Sequence, residues 1–462
     1  MKPFSILFTI LLVLSSTTFQ AQHKIGMFDG QISIGNPKVK GSATFNSDNQ
    51  TYTVDGAGTN MWFEKDEFQY LWTTIQGDFI LRTTVNFEGK GKDPHRKAGW
   101  IIKNNLDDNS AHVNASTHGD GLTSLQYRKT VGGLTEEVKS SHENPTIIQL
   151  ERRGTTYIMS TAKFGEEFTS IELTDMDLDN EVYVGLYVCS HNPKVLERAT
   201  FSNVRIVKPV GDDYQAYREY IGSNLELMDV ETGHREIIYH SAHSIQAPNW
   251  TVDGKKLIYN SKGRLYNYEL ETNSITPLNT GFAIKNNNDH VLTFDGKLLG
   301  ISHHNQDDNG DCALYYLPTN GDSNPKMVTK QGVGASYLHG WSPNNKEMIF
   351  TGDRNGAYNI FTVNLKSGKE EQLTDFPTLD DGPEYTKNGK TIFFNSDRTG
   401  TMQLYSMKAN GKKQTQLTFD DYNDWFPHVS PDQKWIAFIS FPKEIKSNDH
   451  PFYKHCMLRI MP

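Results

Sequence analysis

Trp341-Ser-Pro-Asn-Asn-Lys346 is a tight-turn sequence followed at once by the apolar run Glu347-Met-Ile-Phe350, and it recurs through the second half of the chain. The other copies are Trp250-Thr-Val-Asp-Gly-Lys255, Leu292-Thr-Phe-Asp-Gly-Lys297, Tyr385-Thr-Lys-Asn-Gly-Lys390 and Val429-Ser-Pro-Asp-Gln-Lys434. Successive copies start 42, 49, 44 and 44 residues apart. A period of about 44 residues, with a turn and short apolar strands in each unit, is typical of the four-stranded blades of a β-propeller.

The strands around these turns predict how many blades the chain supplies. Residues 224–230 and 235–239 match the third and fourth strands of later repeats, without a first and second strand before them. After the turn at Val429 the sequence supplies a second strand near residue 435 and a third near residue 457. Residues 215–462 are therefore predicted to form a six-bladed type of β-propeller that is incomplete at the C-terminus and lacks its last closing strands.

Residues 23–208 lack the 44-residue period and predict a separate all-β unit. Apolar-rich strands recur there between turns, for example at residues 79–87, 146–152 and 182–188, without a long helical pattern. Many short strands of this kind indicate a β-sandwich. Residues 209–214, which include a proline, a glycine and two aspartates, are predicted to link the sandwich to the propeller.

The first 21 residues have the order of a cleaved signal peptide. Lys2 precedes the apolar residues 6–14, and small and polar residues then lead to Ala21. The apolar run is too short for a permanent membrane span. The sequence therefore predicts a periplasmic or secreted protein.

Composition limits which partners and which cysteine chemistry are expected for this chain. The formal net charge of −9 argues against a basic surface that follows phosphates, so nucleic acid is not an expected partner. Only Cys189, Cys312 and Cys456 occur, which leaves free thiols or a single bridge. The cysteines lack the paired spacings that a thiolate zinc site needs.

The order of elements in residues 23–208 resembles a concanavalin A-like sandwich of the laminin-G and glucanase kind. The resemblance rests on Trp62-Phe63, Gly77-Asp78-Phe79, Ala98-Gly99-Trp100, Gly185-Leu186-Tyr187 and the closing strand at Phe201. It implies a module that binds carbohydrate. Trp62, Trp72 and Trp100 could stack on a sugar ring, or they could belong to the core.

The repeats resemble the TolB-type propeller repeat, also called the WD40-like or PD40 repeat. The shared features are the Ser-Pro-Asp-type turn, the hairpins at Asp353-Arg354 and Asp397-Arg398, and the blade ends at Gln372 and Gln416. The runs at His339, Leu379, Asn423 and Asp449 look like those of exported TolB-like proteins without an assigned reaction. The blade pattern and the histidine-rich face also resemble oligogalacturonate lyase, which uses manganese, although its metal ligands cannot be matched residue by residue.

One face of the predicted propeller, here called the top, collects imidazoles and carboxylates, the side chains that serve as metal ligands and acid–base pairs. His290 and His339 stand two residues before the turn signature in neighbouring blades, and His428 stands one residue before it. These three are the candidate metal ligands. The candidate catalytic residues are His290, His339, His428, Asp381 and Glu384, and the candidate ligand-binding residues are Asp380, Asp424, His450 and His455.

A structural role remains open for each of these groups. The polar side chains could brace the loops between blades, and His303 and His304 could belong to an exposed loop. Arg354 and Arg398 occupy equivalent hairpins, which predicts structural pairing with Asp353 and Asp397. The acidic loop at residues 307–311 could hold calcium, although its spacing departs from the calcium-loop pattern.

Two classes of function follow. The first is an exported binding protein whose sandwich and propeller top face bind a polysaccharide, an oligosaccharide or an envelope protein. The second is a polysaccharide lyase or hydrolase that uses the histidine-rich top with a divalent cation, manganese or calcium. A role in envelope assembly through protein contacts alone is a third possibility.

Overall fold

The computed structural model describes residues 24–305, 310–354 and 356–462, and all the secondary structure in these ranges is β. The predicted signal peptide lies outside the described residues, as do residues 307–309 of the predicted acidic loop. Within the described ranges, no helix has the length and apolar character that crossing a membrane requires. Cys189, Cys312 and Cys456 are free thiols.

The chain divides into two compact units. The first contains the residues up to Lys208 together with Met228–Glu236, and the second contains Pro209–Leu227 and Ile237–Pro462. The strands up to Val207 are β1 Gly30–Ile34, β2 Ser42–Asn46, β3 Thr51–Gly58, β4 Met61–Trp62, β5 Lys65–Asp66, β6 Phe68–Gln76, β7 Phe79–Phe87, β8 Lys97–Lys103, β9 His112–His118, β10 Thr123–Arg128, β11 Glu136–Lys139, β12 Ile147–Arg153, β13 Thr156–Ala162, β14 Thr169–Leu173, β15 Glu181–Cys189 and β16 Asn192–Val207.

Two seven-stranded antiparallel sheets build the first unit. Their strand orders are β1-β6-β15-β8-β9-β10-β11 and β14-β13-β12-β7-β16-β3-β2. Both sheets contribute to one apolar core, to which Trp100 belongs on one side and Leu150 on the other. Because Trp100 is fully buried, it is not available to stack on a sugar ring.

A group of charged side chains is fully buried in this unit. Asp66 accepts hydrogen bonds from Lys103 at 2.8 Å and from Arg128 at 2.7 and 2.9 Å. His112 Nδ1 lies 3.5 Å from the same carboxylate, and all four side chains are 0% exposed. Burial raises the pKa of Asp66, but His112 and Lys103 outweigh it and hold the pKa well below its ordinary value.

The remaining strands follow the repeat. They are β17 Ser223–Met228, β18 Arg235–Ser241, β19 Gln246–Trp250, β20 Lys256–Ser261, β21 Arg264–Glu269, β22 Ser274–Pro277, β23 Asn286–Leu292, β24 Leu298–His304, β25 Cys312–Pro318, β26 Lys326–Met327, β27 Ser336–Trp341, β28 Glu347–Arg354, β29 Ala357–Asn364, β30 Glu370–Gln372, β31 Asp380–Tyr385, β32 Thr391–Ser396, β33 Gln403–Lys408, β34 Thr415–Gln416, β35 Asn423–Val429, β36 Ile436–Phe441 and β37 Met457–Met461.

These strands form a β-propeller of successive antiparallel sheets. β17 and β18 form a two-stranded sheet, β19 to β34 form four four-stranded sheets in sequence order, and β35 to β37 form a three-stranded sheet. The first strands of successive sheets, β19, β23, β27, β31 and β35, contact one another in turn, which places them around the propeller axis. Apolar side chains of adjacent sheets pack together, as Ile349 and Ile360 do against Ile392 and Phe394.

The repeated signature forms the turn between the first and second strands. In each copy a serine or threonine hydroxyl donates to the Asp or Asn two residues later, at 2.6 to 2.9 Å. The same hydroxyl accepts the backbone N–H five residues later, as between Ser430 and Trp435 at 3.0 Å. The side chains therefore close the turn locally, which explains why the repeat keeps these residue types.

Candidate functional site

Each first strand of the propeller carries a β-bulge just before the signature turn. The register with the second strand shifts between Gln246 and Asn249 in β19, and equivalent shifts occur in β23, β27, β31 and β35. A bulge inserts unpaired residues and turns their side chains away from the regular alternation. The propeller therefore presents one irregular segment per blade near its axis.

The residue types at these bulges explain their shape. Ala247, Gly382 and Phe426 have φ angles of 46°, 62° and 57°, and each is followed by a proline two residues before the signature. Proline removes a backbone donor from the ladder, so it suits a position where pairing is interrupted. In β23 and β27 the position of the proline is taken by His290 and His339.

The bulges and the adjoining loops line a cavity of about 740 Å³. Its aromatic walls are Tyr217, Tyr220, Tyr337, Tyr358, Phe426 and Phe452. Its polar lining includes Lys262, Asn286, Asn287, Asn288, Asp289, His304, His339, Thr351, Asp381, Asp449 and His450. A cavity of this size with convergent polar groups is typical of a small-ligand site.

An imidazole–carboxylate pair lies in the cavity wall. His339 Nε2 is 3.0 Å from Asp381 Oδ1, and both side chains are 13% exposed. Thr351 Oγ1 donates to the same carboxylate oxygen at 2.7 Å, and the backbone N–H of Gly382 donates to it at 2.8 Å. The His339 ring stacks on Phe426, with 6.0 Å between centroids and 20° between planes. The pair is therefore held in one geometry from both ends.

The surroundings shift the protonation of this pair. Burial lowers the pKa of His339, but Asp381 and Asp289 outweigh it and leave the pKa above its ordinary value. Burial raises the pKa of Asp381, but His339 and Thr351 outweigh it and lower the pKa to about 2. Burial raises the pKa of Asp289. The site therefore favours an imidazolium paired with a carboxylate near neutral pH.

His290 does not share this environment, although it stands at the same sequence position as His339. Its side chain is 1% exposed, and its Nε2 and Nδ1 lie 3.1 and 2.8 Å from the backbone carbonyl oxygens of Ile258 and Asn288. Burial lowers the pKa of His290. His290 faces the preceding sheet whereas His339 faces the following one, so these two candidate metal ligands do not face each other.

His428 lies outside the cavity lining. Its Nδ1 is 2.7 Å from Glu384 Oε2, and the backbone N–H of Val429 donates to Glu384 Oε1 at 3.1 Å. The His428 side chain is 71% exposed. Within the described ranges, His290, His339 and His428 do not bring three ligand atoms within 4.8 Å of one another, so the structure does not assemble them as one metal site.

Asp380 and Asp424, expected to bind a ligand, are buried and paired within the propeller. Asp380 accepts a hydrogen bond from Arg398 at 2.9 Å. Asp424 accepts hydrogen bonds from Ser440 at 2.6 Å and from Arg459 at 3.3 Å. Both aspartates are 0% exposed. They stabilise the blades instead of facing the cavity, which corrects the sequence-based prediction.

The repeated hairpin arginines also pair differently from the prediction. Arg354 donates to Glu370 at 3.0 Å, and Arg398 pairs with Asp380. The expected partners were Asp353 and Asp397. Arg354 of β28 thus reaches β30, two strands away in its own sheet, and Arg398, which follows β32, reaches β31.

Four more of the top-face histidines have distinct places. His450 lines the cavity, and its ring lies 4.7 Å from Trp425 and 5.1 Å from Phe426 between centroids. His304 lines the cavity, whereas His303 is 6% exposed at the end of β24 and packs near Tyr315. His455 is exposed and lies outside the cavity lining.

An aromatic contact at the rim joins two distant segments of the propeller. The Tyr217 hydroxyl donates to Asp449 at 2.8 Å, and the Tyr453 hydroxyl donates to the backbone oxygen of Gly222 at 2.9 Å. The rings of Tyr217 and Phe452 are 4.8 Å apart. This rim clasp, residues 214–222 against residues 448–453, positions part of the aromatic wall.

Sequence reasoning missed several cavity residues. Asp289, Tyr337, Tyr358 and Phe426 line the cavity but were not candidates. The run Asn286-Asn-Asn-Asp289 and the X-Pro pairs before the signatures were the available signals, because both interrupt the strand pattern. Neither signal states which side chains turn toward the axis.

The chain is similar in sequence to known proteins. The family model of the TolB beta propeller domain matches residues 326–450. An uncharacterized protein of Agrobacterium fabrum (strain C58) is 37% identical over 230 residues, which are 50% of this chain and 76% of that protein.

Solved structures include similar chains. A structure described as putative TolB from Agrobacterium tumefaciens is 36% identical, covers 51% of this chain and 83% of its own, and has a TM-score of 0.48. Oligogalacturonate lyase from Vibrio parahaemolyticus is 14% identical, covers 52% of this chain and 73% of its own, and has a TM-score of 0.33. Nothing about activity follows from a likeness as distant as that to the lyase.

Proposed function

The chain belongs to the family of TolB-like β-propeller proteins, and from that premise we propose that its propeller binds an oligosaccharide in the cavity around His339 and Asp381. The observation that carries the proposal is the composition of the cavity wall. Six aromatic rings alternate there with amides, carboxylates and imidazoles. Sugar rings offer apolar C–H faces and a rim of hydroxyls, which match such a wall.

The aromatic side chains supply the stacking surface. Tyr217 and Phe452 pack against each other at the rim, and Phe426 packs against His339 and His450. Rings that are held by neighbours lose little entropy when a ligand binds. The wall is therefore preorganised for a flat, partly apolar ligand.

The charges of the cavity favour a neutral or amino-bearing sugar. Asp289, Asp381 and Asp449 contribute carboxylates, and among the described residues that line the cavity Lys262 is the only lysine and there is no arginine. A uronic acid would bring its own carboxylate into this group without a bidentate partner. Asparagine amides and the His339–Asp381 pair are suited to hydroxyl groups.

We infer an envelope location for this activity. The support is the order of charged, apolar and small residues in positions 1–21, together with membership of the TolB-like family. The partner in this proposal is a polysaccharide or oligosaccharide of the envelope or of its surroundings.

We also infer the finer architecture of both units. The two sheets with one common core support a concanavalin A-like sandwich for residues 23–208. The two-stranded sheet of β17 and β18 is the outer half of a sixth blade, because its strands match β21 and β22 in sequence pattern. In this view the propeller is of the six-bladed type.

Acid–base catalysis on a polysaccharide is the second candidate, and the His339–Asp381 pair favours it. An imidazolium held by a carboxylate can donate a proton, as a general acid does. A divalent cation such as manganese or calcium would assist by neutralising a substrate carboxylate. The reaction would use His339, Asp381 and Asp289, because His290 and His428 lie outside the cavity.

A glycan array followed by calorimetry tests the first proposal. The full chain is screened against neutral, amino-bearing and acidic oligosaccharides, and hits are titrated. We expect His339→Ala and Phe426→Ala to weaken binding at least tenfold. His428→Ala is the matched control, since it removes an exposed imidazole outside the cavity and leaves binding unchanged.

The same material separates the alternatives. Absence of glycan binding, or equal binding by all three variants, would contradict the saccharide proposal. Appearance of new reducing ends or of unsaturated sugars, with and without manganese, would instead support the enzyme. Loss of this polysaccharide cleavage in Asp381→Asn would show that the reaction takes place in the cavity.

A further inference from the structure

Five titratable side chains of the first unit gather on one patch. Asp93 and His95 precede β8, His118 and Asp120 belong to the β9–β10 hairpin, and His191 lies between β15 and β16. The ring of His95 lies 6.3 Å from that of His118 and 5.6 Å from that of His191, measured between centroids. Three separate chain segments therefore bring imidazoles together.

The central three side chains have the spacing of metal ligands. One ligand atom each from His95, His118 and Asp120 lies within 4.8 Å of the other two. Among the described residues these three form the only group with this property. Two imidazoles and a carboxylate, within reach of one position, are a donor set that zinc takes up.

The surroundings of His118 give independent support for a ligand at this position. Its side chain is 6% exposed, and among the described residues its Nδ1 has no hydrogen-bond partner. Leaving a buried polar nitrogen unpaired is destabilising, so such groups normally have a partner.

The other nitrogen of His118 shows which one is left for a metal. Nε2 lies 3.4 Å from Gln126 Nε2, while the buried Gln126 Oε1 has no hydrogen-bond partner in the part of the chain that the structure describes. Rotating the Gln126 amide by a half turn places Oε1 beside the imidazole, and His118 then donates from Nε2. This tautomer leaves the lone pair on Nδ1, and an amide or carboxylate that orients a ligating histidine is common in metal sites.

Backbone contacts hold the ligands in place. Asp120 Oδ1 accepts the backbone N–H of Leu122 at 3.1 Å, which leaves Oδ2 at 3.5 Å from His95 Nδ1. The backbone N–H of Asp120 donates to Pro94 at 2.8 Å, and that of Gly119 donates to Arg96 at 2.9 Å. The loop that carries His95 is thus joined to the hairpin that carries His118.

A second pair lies beside the first. His191 Nδ1 is 3.3 Å from Asp93 Oδ2, and Asp93 Oδ1 accepts the backbone N–H of His95 at 2.8 Å. The side chains of His95 and Asp120 are 54% and 36% exposed, so an ion can enter from solvent. The patch therefore combines a buried ligand, two accessible ligands and an open side.

We propose that His95, His118 and Asp120 bind a divalent transition-metal ion, zinc in the first place, with the remaining coordination open to water or to His191. Nitrogen donors favour zinc, copper and nickel over calcium and magnesium, which prefer oxygen ligands. The site cross-links the loop before β8 to the β9–β10 hairpin. It is independent of the saccharide proposal, because all of its residues belong to the first unit.

The test is zinc binding by the full chain, purified without a histidine tag and stripped with a chelator. We expect one equivalent of zinc by calorimetry and by elemental analysis, and visible absorption after cobalt substitution. His118→Ala and Asp120→Asn should each weaken zinc binding at least tenfold. His142→Ala is the matched control, because His142 is paired with a single carboxylate, that of Glu166, elsewhere in the same unit.

Thermal unfolding provides a second readout. Zinc should raise the melting temperature of the wild type and of His142→Ala, because a ligand that binds only the native state stabilises it. It should not raise that of Asp120→Asn, which changes a surface side chain and preserves the circular dichroism spectrum. Equal zinc binding by wild type and Asp120→Asn, loss of binding in His142→Ala, or binding of calcium but not zinc would each overturn the proposal.

Discussion

The carboxylate of Asp381 lies 3.0 Å from Nε2 of His339, although the two residues belong to the first strands of neighbouring sheets. Each stands at a bulge of its strand, where the regular alternation of side chains is interrupted. The pair is therefore a product of two local irregularities that the propeller brings together. It is the most constrained polar feature of the cavity.

Asp381→Asn should lower the pKa of His339 relative to the wild type. The variant removes the carboxylate that raises the pKa and keeps the burial that lowers it. Titration of histidine-labelled protein by NMR measures the shift. Asp432→Asn, in an exposed turn, is the control. An unchanged His339 pKa in Asp381→Asn would show that the two side chains do not form a pair in solution.

The same pair predicts how stability depends on pH. Because the pKa of His339 is raised on folding, its contribution is complete below about pH 6.5 and is lost as the pH rises through the raised value. Because the pKa of Asp381 is lowered to about 2, its contribution is present above about pH 4 and is lost as the pH falls through 2. Urea unfolding at a series of pH values should show both losses in the wild type, and Asp381→Asn should flatten both.

Asn395→Ala should weaken saccharide binding, although Asn395 does not contact the saccharide directly. Asn395 is fully buried, and its Oδ1 accepts the backbone N–H of Phe426 at 3.0 Å. Loss of this acceptor leaves the bulge donor unpaired, at a cost of about 1–3 kcal/mol, and frees the Phe426 ring. We expect lower stability in urea and weaker saccharide binding, whereas Asn388→Ala, in an exposed turn, should leave saccharide binding unchanged. Full retention of both properties in Asn395→Ala would disprove the positioning role.

Asp66→Asn should destabilise the first unit by about 3–5 kcal/mol. The change leaves Lys103 and Arg128 buried without a counter-charge. Removing only one partner of a buried ion pair is strongly destabilising. Urea unfolding measures the loss. The matched control is Asp55→Asn, which breaks an exposed pair with Arg198 and should change stability little. Similar losses of unfolding free energy in Asp66→Asn and Asp55→Asn would show that burial does not decide how much these ion pairs stabilise the unit.

Tyr453→Phe should loosen the rim clasp. The hydroxyl donates to Gly222 at 2.9 Å and accepts the backbone N–H of Ile221 at 3.2 Å, so its removal costs about 0.5–1.5 kcal/mol for each bond. Hydrogen exchange should become faster at residues 214–222 and stay the same in β27 to β33. Unchanged exchange at residues 214–222 would mean that the clasp does not hold this segment.

Much of the propeller follows from local sequence. The signature turns close through their own hydroxyl and carboxyl or amide groups, as between Ser430 and Asp432, so a short motif predicts each turn without help from the rest of the chain. Strand order follows as well, because each strand pairs with its neighbour in sequence.

The candidate site was predictable only in part. His339, Asp381 and His450 were candidates and line the cavity, whereas His290, His428, Asp380 and Asp424 were candidates and do not. The equivalence of His290 and His339 in sequence was misleading because their bulges differ. His290 remains in register with Ile301, but His339 is the inserted residue between Leu338 and Gly340.

The sequence by itself determined the repeat, its turns and the all-β character, since these depend on contacts between residues close in the chain. Only the tertiary structure decided which polar side chains face the cavity and which brace the blades. A shift of one residue at a bulge reverses the direction of a side chain, and the energy that selects the shift comes from neighbouring sheets. The pairing of His339 with Asp381, and the gathering of His95, His118 and Asp120, depend on contacts across the fold.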